Sequence, residues 1–528
     1  MSMFDGTPPP QGGSSRVRPH GNLMVLRIAV FVFFGLLAVR LADMQIINGD
    51  DYATRARENH IQSEQILPSR GLIYDADGEP LVQNVGQYTL EVVPELLPNP
   101  DLDDDATQKR RQMFLFLEES VGVPALEIEA HVAQAEATGR ENQAIRIRQN
   151  LEKEEALALS EVTPDMPGVN VTVLPARRYI GGESFSHILG YVGPITAEEW
   201  VRLQDEYEFN QPVGKAGIEA RYEDELRGTV GRSSNEMTAS GEIVNVLETE
   251  EPEPGNSLRL SIDADLQEYV TDLMRDRMGD ANNAAAVVMD VNTGAVEAMV
   301  SLPTWDNNIF GDLEERGDEY ERLIEDPAKP LINRATSPEA PGSTFKLVTA
   351  AAGLEEGNIT PSTGYTVDSL VKEFVGENGE VYPYYDWAVH GYVQLHEAIA
   401  RSSNIYFYMT SCGFQDEGLP GLGSNVEDSA YKLRYWARSL GFGKETGLDI
   451  GGESAGIIPD PQWKRESRSN RNIFAPGEAE WYHADTCFMG IGQGDVTATP
   501  LQVNRMTAAI ANGGRPGRAP RGLGSAEP

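Results

Sequence analysis

The longest apolar stretch lies near the start of the chain. From Leu23 to Ala42 only Arg27 and Arg40 are charged, and Ile28–Val39 is uninterrupted. Arginine stems lie along apolar surface while their heads reach water, so counting both arginines gives about 20 residues, enough to cross a bilayer. Arg16, Arg18 and His20 precede the run; Asp43, Asp50 and Asp51 follow it. That asymmetry predicts a cytoplasmic N-terminus and places everything after Met44 outside. A cleaved signal peptide is the competing reading, but Ala38-Val39-Arg40 is a poor cleavage site. The expectation is therefore an anchor over 23–43, preceded by a disordered, Pro/Gly/Ser-rich cytoplasmic tail over 1–22.

Beyond the anchor the period changes. Asp51–Gln65 reads as a polar, helix-like stalk. Leu72–Tyr74 and Gln87–Val93 read as strands, with Asp77-Gly78 as a hairpin turn. Residues 106–166 carry helical spacing through Met113, Leu115, Leu117, Leu151, Ala156 and Leu159, which predicts a helical lobe inserted into a strand-rich domain. Val169–Leu174 returns to strand, and Gly214-Lys215-Ala216-Gly217 opens a helix through Tyr222 and Leu226. The arginines, glutamates and glycines here read as turns and ion pairs, and no chemistry is expected before residue 255. The acidic, Pro-rich joint Glu248–Gly255 marks a domain boundary, giving domains of 44–250 and 256–528. Past it, Ser257–Ile262 is a strand and Leu266–Met278 a helix. Ala285–Asp290 and Ala295–Ser301 form two strands around Asn292-Thr293-Gly294. Asp312–Asp326 is a charged, solvated helix. The pattern is α+β, an antiparallel sheet with helices packed on it.

A chain of 528 residues is too long for one ordinary core, and 40% apolar residues argues against wholesale disorder. A net charge of −39 argues against nucleic-acid binding, which needs a basic surface. It suits a body held off anionic headgroups, or a salt-rich habitat. Cys412 and Cys487 are the only cysteines. They form no disulfide framework, and one bridge or two unlinked thiols both remain open. No Cys-x-x-Cys pair exists, which argues against a cysteine-based zinc site.

Candidate chemistry centres on Pro341-Gly342-Ser343-Thr344-Phe345-Lys346, a sharp turn leading into the apolar run Leu347–Ala352. Ser343 is expected at or near a helix N-cap, with Lys346 one turn on. A serine hydroxyl needs a base to take its proton, and a lysine among Phe345, Leu347 and Val348 is desolvated towards useful base values. Ser369/Lys372 and Ser429/Lys432 share the spacing, but neither follows a Pro-Gly turn. A second cluster, Ser402-Ser403-Asn404, interrupts two apolar helices. Such a turn projects a hydroxyl and an amide: Ser402 to relay a proton, Asn404 to hold a substrate amide. Plain helix capping is the alternative reading.

Together these residues resemble the active site of penicillin-recognising serine enzymes. The resemblance extends over about 23–512. Arg70-Gly71 with Asp75 and Gly78, His187–Gly193 and Gly214–Gly228 are similar to the non-catalytic pedestal of class B penicillin-binding proteins. Leu440–Gly443, Thr446–Asp449, Met489–Gly494 and Thr499–Gln502 are similar to their transpeptidase domain. Trp387–Gly391 and Tyr406–Tyr408 resemble the elongation type more than the division type. The resemblance implies an elongated strand-rich pedestal and an antiparallel sheet flanked by helices. It implies peptidoglycan D,D-transpeptidation without a cofactor. Ser343 would attack the penultimate D-Ala of one stem peptide, and an amine from a neighbouring stem would resolve the acyl-enzyme. Lys346 is then the base, Ser402 the relay, Asn404 a substrate contact and the Ser343 N–H an oxyanion donor. β-Lactams would acylate Ser343. The implied partners are a SEDS-family glycan polymerase and rod-shape complex proteins at the inner membrane.

The family also places Lys-Thr-Gly or Lys-Ser-Gly on a strand after Gly-Gln-Gly, and none follows Gly494 here. The tail after Gly514 has no strand pattern, so the transpeptidase domain is expected to lack its C-terminal strands. That keeps open a catalytically impaired scaffold that engages the polymerase; a β-lactam receptor or β-lactamase is a third reading. Some elongation-type relatives carry a metal near the second cluster. Asp368, Asp386 and His390 are possible remnants, but no cysteine falls at the Ser402 turn to complete the set, and no metal is assigned.

Overall fold

The apolar run near the N-terminus forms a helix, His20–Ala42, with Phe31, Phe33, Phe34 and Leu36 exposed along it. Among the described residues no helix is long and apolar enough to cross a membrane. The computed structural model describes residues 20–42, 61–100, 104–203, 207, 211–237, 243–311, 313–376, 379–414, 417–470, 479–514 and 524–527. Of the expected tail over 1–22, residues 1–19 lie outside them, as do 51–60 of the expected stalk over 51–65. The chain divides into two units: Met1–Ile66 with Arg232–Glu251, and Leu67–Gly231 with Pro252–Pro528.

In the first unit, Ile61–Ile66 is a strand rather than the end of a helical stalk, and it flanks the antiparallel pair Gly231–Met237 and Ile243–Glu250. Its glutamines and glutamate favour helix only weakly, and an available sheet edge overrides that preference.

The second unit is built on one long strand, Pro80–Val92. Val169–Tyr179 pairs with it antiparallel from Val82↔Tyr179 to Val92↔Val169. The Asp77-Gly78 turn feeds it as expected: Asp75 Oδ1 accepts from the N–H groups of Asp77 and Glu79, and Gly78 sits at φ 91°. Ile145–Leu151 pairs along part of the same strand. That strand corrects the all-helical reading of 106–166. Ile145 and Ile147 alternate with Arg146 and Arg148, a period of two too short to stand out between the flanking helices. Asp104–Val121, Ala125–Ala137 and Lys153–Val162 are the helices, and they bury Phe114, Leu117, Ile128, Val132 and Leu159 against Leu90 and Val92.

An ion-pair knot ties distant segments of this unit together. Arg70 Nε bonds Glu219 at 2.7 Å and its Nη2 bonds Glu223 at 2.6 Å, while Arg177 Nε bonds Glu219 at 2.9 Å. Glu219 is fully buried. Burial alone would raise its pKa, but Arg177 and Arg70 together hold it below the usual carboxylate range. The ion pairs expected among these residues from the sequence form here.

Beyond residue 252 the expected elements form. Asp263 caps Ala264–Arg277 by accepting from Leu266 N, and Ala284–Met289 with Val296–Leu302 makes an antiparallel hairpin. The charged helix Leu313–Glu325 forms too, but it is not wholly solvated, because Leu323 is buried with Trp305 and Phe310. Two small hairpin-like pairings, Gly364–Val367 with Gly391–Gln394 and Val371–Val375 with Val381–Tyr385, precede the Ser402 turn. Finally, Gly524–Glu527 pairs antiparallel with Ser257–Leu260. This corrects the expectation that no strand lies beyond Gly514. Sheet pairing is made by backbone donors and acceptors, and an edge strand of Gly, Ser and Ala needs no apolar alternation to make it.

Candidate active site

The Pro341-Gly342 turn, with Gly342 at φ 55°, enters a 3₁₀ turn, Gly342–Phe345, and the α-helix begins at Lys346. Ser343 therefore lies in the 3₁₀ turn and not at the α-helix cap, which Phe345 occupies. Thr344 closes the turn by donating to the Pro341 carbonyl at 2.7 Å. Phe345 and Val348 sit fully buried and fix the helix against Leu433, Phe442 and Met489. Gly342 N–H donates to the Gly492 carbonyl at 2.9 Å. Gly492 approaches so closely that a Cβ there would strike the Gly342 carbonyl and Phe345. The Gly-Gln-Gly segment is thus the backing of the serine turn.

Lys346 is 2% exposed. Its Nζ donates to the Ser402 carbonyl at 2.8 Å, to Ser402 Oγ at 3.0 Å and to Asn404 Oδ1 at 2.6 Å. Three acceptors match the three protons of an ammonium. None of them is a carboxylate. Burial pushes the Lys346 pKa down to about 8, and the charge of Asp386 opposes that shift only in part.

The second cluster is shaped by its backbone. Ser402 stands at φ 53°, left-handed and unusual for a residue with a side chain, between the helices Leu395–Ala400 and Asn404–Ser411. Such strain persists only where its surroundings hold it, and Asp386 fixes the residues that follow Ser402. Its Oδ2 accepts from Ser403 Oγ at 2.7 Å and from Ile405 N–H at 2.9 Å; its Oδ1 accepts from Trp387 N–H at 2.9 Å. Burial raises the Asp386 pKa, and these donors together more than reverse it, leaving the carboxyl below its ordinary value. An anion at a helix N-terminus is favourable for the same reason. Asn404 is then held between Lys346 and the Tyr385 carbonyl, to which its Nδ2 donates at 3.1 Å.

Ser343, Ser402 and Asn404 line one open cavity of about 950 Å³ with Tyr385, Trp387 and Gln493. Lys346 lies behind Ser402 and Asn404, joined to both. Among the described contacts no hydrogen bond links Ser343 to Lys346. The structure thus brings the nucleophile candidate into the cavity that Ser402 and Asn404 line, with both of these bonded to the Lys346 amine behind them. The two other Ser-x-x-Lys pairs are spent elsewhere: Lys372 pairs with Glu417, and Lys432 bonds the Leu422 carbonyl and Glu356.

Sequence reasoning did not find the helix-capping role of Asp386. It considered the residue only as a metal remnant with Asp368 and His390. Asp368 is exposed, while His390 bonds Asp386 at 3.3 Å and a hydroxyl, Ser403, completes the group. Both Asp386 oxygens are already engaged, so these residues do not fit a cation, and no chemistry is routed through one here. Cys412 and Cys487, left open in the sequence, are joined in a disulfide across 75 residues. It ties the end of Asn404–Ser411 to the helix His483–Gly490, which runs into the Gly-Gln-Gly segment. The described residues that crowd three potential ligand atoms are Cys412, Cys487 and His483, and the sulfurs of that group are the disulfide.

The Penicillin-binding Protein dimerisation domain matches residues 65–260, and the Penicillin binding protein transpeptidase domain matches 284–517. The peptidoglycan D,D-transpeptidase MrdA of Haemophilus influenzae is 33% identical over 506 residues, covering 93% of this chain and 70% of that protein. A solved complex between the penicillin-binding protein PBP2 and MreC from Helicobacter pylori superposes at a TM-score of 0.67 with 26% identity, over 86% of this chain and 78% of that one. A structure described as the coordination of polymerization and crosslinking by a peptidoglycan synthase complex superposes at 0.58 with 29% identity, over 93% and 78%. The chain belongs to the MrdA family of peptidoglycan D,D-transpeptidases, the elongation type of class B penicillin-binding proteins.

Proposed function

We propose that this chain carries the acylation centre of a peptidoglycan D,D-transpeptidase. The observation that carries this reading is the buried Lys346, bonded to Ser402 and Asn404 at the wall of the cavity that Ser343 lines. With a pKa of about 8, about one Lys346 in ten is neutral at pH 7. A neutral amine gives up one of its three donated bonds and gains a lone pair. Ser343 Oγ attacks the carbonyl of the penultimate D-Ala as its proton moves to this amine, directly or through Ser402 Oγ. The tetrahedral oxyanion is met by the Ser343 backbone N–H near the helix start at Lys346. Ser402 returns the proton to the departing D-Ala amine, and the same relay in reverse deprotonates the amine of the second stem peptide. Asn404 holds the stem-peptide amide. β-Lactams, as mimics of D-Ala-D-Ala, acylate the same oxygen.

The helix His20–Ala42 serves as a single-pass anchor, which the apolar run Ile28–Val39 and the exposed Phe31–Leu37 side chains support. The basic residues before it favour a cytoplasmic N-terminus and an extracytoplasmic body. Residues 44–250 form the pedestal and 256–528 the transpeptidase domain. Likeness to neighbours solved with MreC and within a peptidoglycan synthase complex supports docking to rod-shape proteins and to a SEDS-family polymerase.

The competing reading is a scaffold that binds the polymerase without crosslinking. Incubation of the full chain with fluorescent penicillin separates the two. Stable labelling that disappears in Ser343→Ala is expected. No labelling of a folded chain would overturn the acylation reading and leave the scaffold; labelling followed by rapid release would point to β-lactamase behaviour.

A further inference from the structure

A second cavity, far from Ser343 in sequence and partly open to solvent, is walled by Arg70, Arg146, Arg177 and Arg227. The chain as a whole carries a net charge of −39, yet no carboxylate lines this cavity among the described residues. Glu219 and Glu223 bond Arg70 and Arg177 but are not part of the wall.

Two of these cations are incompletely answered. Arg177 is 6% exposed, donates Nε to Glu219 and Nη1 to Asn84 at 2.8 Å, and keeps a buried Nη2 with no hydrogen-bond partner. A buried donor left unmade costs more than a made bond gains, so a partner supplied from the cavity would remove a standing penalty. Arg146 meets Glu91 only at 3.8 Å. Burial outweighs that carboxylate and pulls the Arg146 pKa below its ordinary value, as for a cation lacking enough negative charge nearby. Arg227 lies over the Tyr207 ring at 4.4 Å. The rest of the lining is largely apolar, through Leu174, Pro175, Val192 and Phe310.

Guanidinium forks match phosphate and carboxylate oxygens in pairs. The two incompletely answered guanidiniums, Arg146 and Arg177, together suit a head with more than one negative charge, which favours a phosphate over a single carboxylate. We propose that this pedestal cavity binds a phosphate-headed amphiphile, its head on Arg146 and Arg177 and its apolar stem along Leu174, Val192 and Phe310. The site is separate from the acylation chemistry, so its test stands or falls without it.

The full chain in detergent is titrated calorimetrically with farnesyl diphosphate, with farnesol and inorganic pyrophosphate as parallel arms and empty micelles as blank. Saturable farnesyl diphosphate binding is expected, at least tenfold tighter than either arm. Arg146→Gln weakens it on the order of tenfold, the loss of one charge-assisted contact. Gln149→Glu, which sets a carboxylate in the half-buried lining, weakens it at least as much, and both variants keep the wild-type melting temperature and penicillin labelling. Absence of saturable binding overturns the proposal, as does farnesol binding equally well. Equal binding of pyrophosphate overturns the amphiphile and leaves a bare phosphate site. If Arg146→Gln alone misfolds, Gln149→Glu decides; unchanged affinity in the folded variants sinks the site.

Discussion

Two of the places where this chain buries a cation treat it in opposite ways. In the pedestal, Arg70 and Arg177 meet the fully buried Glu219, and Arg70 also meets Glu223. Burial alone would lower the Arg70 pKa, but the two carboxylates reverse that and raise it. In the candidate active site Lys346 meets a carbonyl, a hydroxyl and an amide oxygen, and burial wins, bringing its pKa to about 8. Similar burial thus yields a permanently charged clasp in one case and a titratable amine in the other. The deciding factor is a carboxylate in direct contact, as expected when opposite charges a few ångströms apart counter desolvation. Asp386 lies close enough to be felt by Lys346 but bonds the helix start instead.

The comparison breaks most sharply at Lys346. Lys346→Arg keeps the charge and loses the titratable amine, so penicillin acylation should slow on the order of 10³-fold, within the range given for a positioned base; labelling time courses measure it. At the other site, Glu219→Gln leaves two buried guanidiniums short of a charge. Removing one partner of a buried pair costs about 3–5 kcal/mol, to be read from denaturant melts. The sign with pH follows from the lowered Glu219 pKa: its contribution is present above the unfolded carboxylate value and lost as pH falls through the folded one. Lys346→Met should not reproduce that acid sensitivity.

Reducing the Cys412–Cys487 bridge should cost up to about 4.5 kcal/mol by the loop-closure estimate for a 75-residue separation. Thermal melts with and without reductant measure this, and the pH midpoint of acylation should stay in place because neither sulfur touches Lys346. The smallest effect sharpens the electrostatic claim. Asp386→Asn keeps a helix-capping oxygen but deletes the charge that holds the Lys346 pKa up. The midpoint of the acylation profile should therefore move to lower pH, by a fraction of a unit.

Much of the site was legible because its signals are local. Pro-Gly, the Ser-x-x-Lys spacing and an apolar run mark one turn, and Ser-Ser-Asn between two apolar helices marks the other. What they share in space is invisible in either segment. Lys346 points to Ser402 across 56 residues, and Asp386 reaches Ser403 across 17. A capping carboxylate supplied by a preceding strand end carries no capping signature in the sequence. The same holds for the disulfide, whose partners lie on separate helices. In the pedestal, Ile145–Leu151 was hidden by helices on both sides, and Gly524–Glu527 forms a strand by backbone pairing that composition does not report.

The account rests on Lys346 serving as a base because nothing anionic touches it. The most direct measurement is the rate of Ser343 acylation by fluorescent penicillin from pH 6 to pH 10, on the full chain. A rise to a plateau with its midpoint at about 8 is predicted. A midpoint at the ordinary lysine value, or a rate independent of pH across that range, would contradict it.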